Sequence, residues 1–214
     1  MQISINGTHK STILYVEDDE STREIITLLV SKKIPDATLI VAEDGQAGLD
    51  AFRKHLPDIV VTDVRMPVMD GIRMAKEIRE LSKETRIIVI TAVSDINRIL
   101  EAIDIGINHY VLKPIDHNKL VSVIKSCMTY IEQERQVREQ LEFFRKLSRA
   151  VDQGPVANII TDTEGTIEFV NPGFTRLTGY TFVEAVGKNM RMLKSGETPQ
   201  VEYQRLWKTI SAGE

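Results

Sequence analysis

Cys127 is the only cysteine in 214 residues, so no disulfide can form within the chain and nothing in it calls for an oxidising compartment. Its plain role is that of a small buried hydrophobe on a helix. No stretch approaches the roughly 18 apolar residues of a membrane span, and Met1 to Lys10 has no basic segment leading into an apolar one. A soluble, cytoplasmic chain is expected. Neither charge dominates: 27 Lys and Arg against 31 Asp and Glu leave a net charge of −4, which provides no drive towards nucleic acid or an anionic membrane. The Gly-x-x-x-x-Gly-Lys-Ser/Thr segment of nucleotide hydrolases is missing. Histidine ends at His117, and neither Gly nor Pro occurs from Asp116 to Gln153.

What is present is an alternation of strands and helices from Thr12 to about Asp116. Ile13-Leu14-Tyr15-Val16, Ile59-Val60-Val61 and Ile87-Ile88-Val89-Ile90 are apolar on both strand faces, the pattern of a parallel sheet covered by helices. Thr38 to Val41 and His109 to Leu112 complete five strands. Ser21-Thr22-Arg23-Glu24 resembles a helix cap, with Ile25, Ile26, Leu28 and Leu29 as the buried stripe behind it. Further helices are expected over Gly45–His55, Gly71–Leu81 and Asp95–Asp104, the last carrying Ile96, Ile99, Leu100 and Ile103 and ended by Gly106. The expected fold is a doubly wound, flavodoxin-like α/β domain with a five-stranded parallel sheet.

The stretch free of Gly and Pro, Asp116 to about Val151, predicts one continuous helix. Val123, Tyr130, Val137, Phe144 and Val151 recur every seventh residue, beside a row of Cys127, Glu134, Leu141 and Ser148. Such a pattern suits a parallel coiled-coil dimer or, alternatively, an amphipathic helix lying on its own domain. Gln153-Gly154-Pro155 breaks it. Two strands, Ala157–Thr161 and Thr166–Val170, follow as a hairpin through Asp162-Thr163-Glu164-Gly165, then short helical pieces. Gln200 to Ile210 places Tyr203, Leu206, Trp207 and Ile210 on one helical face. The expected division is a tail over 1–11, a first domain over 12–117, a linker helix over 118–152 and a partial α+β domain over 153–214.

In doubly wound sheets ligands bind at the carboxyl ends of the strands, which brings five sequence pieces to one crevice. They are Glu17-Asp18-Asp19, Asp63 with Met66-Pro67-Val68-Met69-Asp70-Gly71, Thr91-Ala92, Tyr110 and Lys113-Pro114. Taken singly, the acids read better as a solvated helix start, Thr91 as a strand end and Lys113 as a surface lysine, while Tyr110 reads equally well as an edge tyrosine. Asp63 is different, because an acid closing a buried strand is costly unless it is paired or bound to metal.

Together these pieces resemble the receiver domain of two-component response regulators. The resemblance implies that Asp63 accepts a phosphoryl group from a partner histidine kinase or phosphotransfer protein. It implies a Mg²⁺ held by Asp18 directly, Glu17 through water, Asp63 and the backbone carbonyl of Arg65. It also implies that Lys113 and Thr91 contact the phosphoryl oxygens, that Thr91 and Tyr110 switch together, and that Lys113-Pro114 is cis. The physics agrees: two carboxylates at contact repel by about 4 kcal/mol at an effective dielectric near 20, so an anionic donor needs a cation there. The dehalogenase-type phosphatases also use an aspartyl nucleophile, but they need a second acid two residues later, where this chain has Arg65.

Asn158-Ile159-Ile160-Thr161-Asp162, Phe169-Val170-Asn171-Pro172, Thr178-Gly179-Tyr180 and Gly187-Lys188-Asn189 resemble the first half of a PAS sensory domain. The resemblance spans Val151–Glu214 and lacks the three later PAS strands, which implies a piece of a longer protein whose small C-terminal half is poorly ordered or paired with another chain. Haem is not indicated without histidine, nor covalent flavin, since Met190 stands where light-sensing relatives carry cysteine. The expected function is phosphorelay signalling from Asp63 through the helix to PAS and an output module. Such arrangements commonly precede a diguanylate cyclase; the alternatives are the input region of a hybrid histidine kinase or a dimerisation adaptor that does not switch. The chain itself is not expected to be an enzyme beyond assisting its own phosphorylation. A homodimer through the linker helix or the receiver face is expected.

Overall fold

The computed structural model describes residues 10–92, 96–194, 199–202, 205, 208 and 209, without the side chains of 96, 97, 99 and 102. Two compact units are present, Met1–Gln136 and Val137–Glu214. In the first, strands β1 (Thr12–Val16), β2 (Thr38–Ala42), β3 (Ile59–Asp63), β4 (Arg86–Thr91) and β5 (His109–Leu112) form one sheet in the order β2-β1-β3-β4-β5. All its pairings are parallel. This is the doubly wound, flavodoxin-like topology.

Alternation along the strands explains where the helices lie. On β1, Leu14 and Val16 point into one core with Leu49 and Phe52 of α2 (Gly45–His55) and Ile72, Ala75 and Ile78 of α3 (Gly71–Leu81). Ile13 and Tyr15 point the other way, onto Ile26 and Val30 of α1 (Glu20–Lys33) and Leu120, Ile124 and Cys127 of α5 (His117–Gln153). Both faces of the sheet are therefore dry, and the strand ends are where polar side chains can gather. Helix α4 (Ile96–Ile105) precedes Gly106, whose φ of 89° suits only a residue without Cβ strain.

Two helix expectations are corrected. The cap of α1 is Asp19, whose side chain accepts from the Thr22 amide, so Ser21 to Glu24 already lie inside the helix. Its buried stripe is Ile26 and Val30 with Leu29 partly packed, whereas Ile25 and Leu28 are exposed. In α4, Leu100 and Ile103 are likewise exposed, and Asp95 lies outside the described residues.

On α5, Cys127 is buried in the first unit's core and Val123 packs against it. Tyr130 lies beneath the guanidinium of Arg86, and Glu134 is paired with the same arginine. The early members of both seven-residue rows thus serve contacts within the chain. Val137, Leu141, Phe144 and Val151 leave large apolar surface exposed.

The second unit holds an antiparallel pair, β6 (Ile159–Thr161) and β7 (Ile167–Val170), joined by a turn in which Gly165 has a φ of 82°. Helices α6 (Pro172–Thr178) and α7 (Phe182–Ala185) follow, then a 3₁₀ turn at Met190–Leu193. Ile167, Val170, Phe174 and Ala185 form a small buried core. Tyr203, Leu206, Trp207 and Ile210 lie outside the described residues.

Candidate functional site

β1, β3, β4 and β5 run parallel, so the residues closing them meet at one edge of the sheet. Glu17 and Asp18 follow β1, Asp63 ends β3, Thr91 ends β4 and Lys113 follows β5. Sheet register carries the last pair together: Thr91 lies opposite Leu112, and the Lys113 amide donates to the Thr91 carbonyl at 2.8 Å. The Lys113 ammonium then reaches back across β4 to Asp63, Nζ to Oδ2 at 2.6 Å, and lies 3.8 Å from Glu17 Oε1.

The carboxylates are tightly grouped. Ligand oxygens from Glu17, Asp18 and Asp63 all lie within 4.8 Å of one another. Glu17 is 1% exposed and Asp63 5%, while Asp18 faces solvent. Two buried acids and one surface acid thus gather at the Lys113 ammonium, which pairs with both buried ones. Burial, and secondly the charge of Asp63, push the Glu17 carboxyl above its ordinary range. Burial works against the Lys113 ammonium, but the hydrogen bond and charge of Asp63, with the charges of Glu17 and Asp18, outweigh it and raise that pKa. An all-oxygen donor set of excess negative charge fits a hard divalent cation, which takes carboxylates readily. Asp19 stays out of this group because its side chain caps α1, and hydrogen bonding from Thr22 holds its carboxyl below the usual range.

The Asp63 loop is fixed by main-chain geometry. Asp63 Oδ1 accepts from the Val64 amide at 2.7 Å, leaving Oδ2 to Lys113. Gly71, the first residue of α3, donates its amide to the Val64 carbonyl at 3.0 Å. A Cβ at Gly71 would run into the Asp63 carbonyl, so only glycine allows α3 to start there. Asp70 caps α3 through the Arg73 amide, and its other oxygen meets Arg98 of α4 at 3.3 Å. An open depression of about 500 Å³ borders the acids, with Asp18, Arg65 and Met66 among its lining residues.

Thr91 is buried, and among the described residues its hydroxyl makes a long contact to the Ala92 carbonyl at 3.4 Å. Tyr110, on β5 opposite Val89, is 46% exposed. Lys113-Pro114 is cis.

Sequence reasoning missed two residues that shape the acids. The Tyr15 hydroxyl donates to Glu17 Oε2 at 3.3 Å from the same strand face, and burial followed by the Glu17 charge raises its pKa. Arg23 Nη1 donates to the carbonyls of Glu17 and Asp18 at 2.7 and 3.0 Å. The two-residue spacing of Tyr15 and Glu17 was the available signal for the first. For Arg23 no spacing rule would have singled out a side-chain grip on those two carbonyls.

Comparison with known proteins places this edge in context. The profile of the response regulator receiver domain matches residues 13–125, and that of a PAS domain matches 155–214. The chain is 32% identical over 123 residues to "Probable transcriptional regulator ycf27" of Porphyridium aerugineum, covering 58% of this chain and 50% of that protein. It is 30% identical over 146 residues to the Regulator of RpoS of Escherichia coli K12, covering 68% and 43%. The chain thus spans half or less of the length of these relatives. Among solved structures, the receiver domain of AraT from Geobacillus stearothermophilus aligns with a TM-score of 0.55 at 30% identity, covering 59% of this chain and 99% of that one. The N-terminal domain of a protein from Wolinella succinogenes aligns at 0.54 and 31%, covering 58% and 98%.

Proposed function

The chain belongs to the response regulator receiver domain family and carries a PAS domain after it, and we propose that it is switched by phosphorylation of Asp63. The observation that carries this reading is the Lys113 ammonium on Asp63 Oδ2 at 2.6 Å, beside two further acids at the strand ends. In outline, an Asp63 carboxylate oxygen attacks the phosphorus of a phosphohistidine partner or a small acyl phosphate. The bond to the leaving group breaks, and the electron pair departs with it.

Each side chain has a task that follows from its place. Lys113, already poised at the carboxylate, is the point charge for a phosphoryl oxygen, and the Thr91 hydroxyl would exchange its long bond to the Ala92 carbonyl for one to another. Glu17, Asp18, Asp63 and the Arg65 carbonyl would hold a Mg²⁺, which when bound supplies the positive charge that offsets the acids and the phosphoryl group. Tyr110 starts half exposed, so inward rotation as Thr91 turns to the phosphoryl group would alter the surface around β5. Helix α5 would carry the change towards the PAS domain, with a second copy seated on Val137, Leu141, Phe144 and Val151. Among the described residues no helix is long and apolar enough to cross a membrane.

The direct test is intact-mass analysis after incubation with Mg²⁺ and acetyl phosphate. One phosphoryl mass should appear in the wild type and none in Asp63→Asn; a phosphoryl group that survives that change would sink the reading. An adaptor that never switches is separated by light scattering, since its self-association would be the same with and without the phosphoryl group.

A further inference from the structure

The break at Gly154-Pro155 has the composition of a flexible hinge, yet side chains from beyond it hold three of the carbonyls around it. The last carbonyls of a helix have no partners inside it and ordinarily turn to water or a cap. Here the Ala150 carbonyl takes the Gly154 amide at 3.1 Å, and side chains from beyond the break take the carbonyls of Val151 and Gly154. Asn171 Nδ2 donates to the Val151 carbonyl at 2.7 Å and to the Val156 carbonyl at 2.9 Å. Arg176 Nη2 donates to the Gly154 carbonyl at 2.8 Å.

Asn171 is 1% exposed, and its amide is used completely. Besides the two donations, its Oδ1 accepts from the Asn158 amide at 2.8 Å and from the Phe174 amide at 2.9 Å. Two donors and two lone pairs exhaust what an asparagine side chain offers. The same residue therefore caps α6, fixes the strand entering β6 and closes the end of α5. Close packing reinforces it: a Cβ on Gly173 would strike the Val156 carbonyl, so α6 lies against this turn with no space between.

We propose that Asn171 turns the Gly154-Pro155 break into a rigid joint, so that the end of α5 and the β6-β7 hairpin with α6 move as one piece. A rotation or shift of the helix then enters the PAS sheet at β7 instead of being lost at the break. That last step rests on the phosphorylation reading; the rigidity of the joint does not.

Asn171→Asp separates the roles. Aspartate keeps the oxygen that caps α6 and receives Asn158, but it replaces both donated N–H groups by an acceptor facing two carbonyls. Residual dipolar couplings on the full chain read the outcome. In the wild type one alignment tensor should fit the amides of residues 140–153 and 157–194 together. In Asn171→Asp the two sets should need separate tensors, while slow exchange of the Phe174 amide shows that α6 is still capped. Arg176→Gln, which leaves the core untouched, should loosen the fit to an intermediate degree. Separate tensors in the wild type, or one shared tensor in Asn171→Asp, would overturn the proposal. If the joint proves rigid but phosphorylation of Asp63 leaves the hairpin amides unmoved, the relay reading fails and the joint stands.

Discussion

Arg86 lies 3.8 Å above the ring of Tyr130 and reaches Glu134 with Nη2 at 3.0 Å, tying the first residue of β4 to two successive turns of α5. Tyr130 and Glu134 are four residues apart and share a helix face, so one guanidinium can serve both. Replacing Arg86 by alanine is expected to lower the stability of the first unit by about 1 kcal/mol, the sum of a modest cation–π contact and a half-exposed ion pair. Urea unfolding gives that number, and amide exchange should accelerate over 128–136. Unchanged exchange there would show that the helix is held by its apolar face alone.

Glu17 is a buried acid beside Asp63, and its charge is tolerated poorly. We predict that Glu17→Gln raises the melting temperature in EDTA, by the equivalent of about 1 kcal/mol, because one of two repelling charges is removed. In the wild type Mg²⁺ should raise the melting temperature as any ligand of the folded state does, and in Glu17→Gln that response should shrink. An equal Mg²⁺ response in both proteins would remove Glu17 from the ligand set.

Gly71→Ala should cost about 3 kcal/mol, at the upper end for overpacking, since the obstacle is the Asp63 main chain and cannot rotate away. Gly179→Ala meets nothing within 4 Å and is strained only by its φ of 79°, so it should cost clearly less. Urea midpoints of the two variants make the comparison; similar losses would mean that α3 can start elsewhere.

Asp162 accepts from the amides of Thr166 and Glu164 in the hairpin turn, and those bonds hold its carboxyl below the ordinary 3.8. A group whose folded pKa is depressed contributes stability above its unfolded value, and that stability is lost as pH falls through the folded one. Protection of the β6-β7 amides should therefore decline as pH falls from 3.8 towards the folded pKa. Asp162→Asn should remove that pH dependence. A carboxyl-carbon titration midpoint at or above 3.8 would contradict the assignment.

The sheet was legible in the sequence because strands buried on both faces leave uninterrupted apolar runs, and the acids that follow those runs can only meet at one edge. Asp63, Asp18, Glu17 and Lys113 could thus be grouped before any coordinates. The helices were less transparent. Ile25 and Ile26 are adjacent and equally apolar, and only the sheet decides that Ile26 faces in. The seven-residue rows on α5 had a similar ambiguity. Cys127, Tyr130 and Glu134 sit at coiled-coil spacing, yet the first is core and the others answer to Arg86, a residue more than forty positions earlier. Asn171 was visible only as part of a motif, since its four partners are spread from Val151 to Phe174.

Asp63 and Lys113 ride on strands separated by β4, while Asp18 follows the first strand of the chain. No fragment shorter than the run from β1 to Lys113 holds the whole group. A half-synthesised copy would carry the aspartate without the lysine that pairs with it. The assembled cluster is in this way a certificate of completed folding, issued only when the fifth strand has docked.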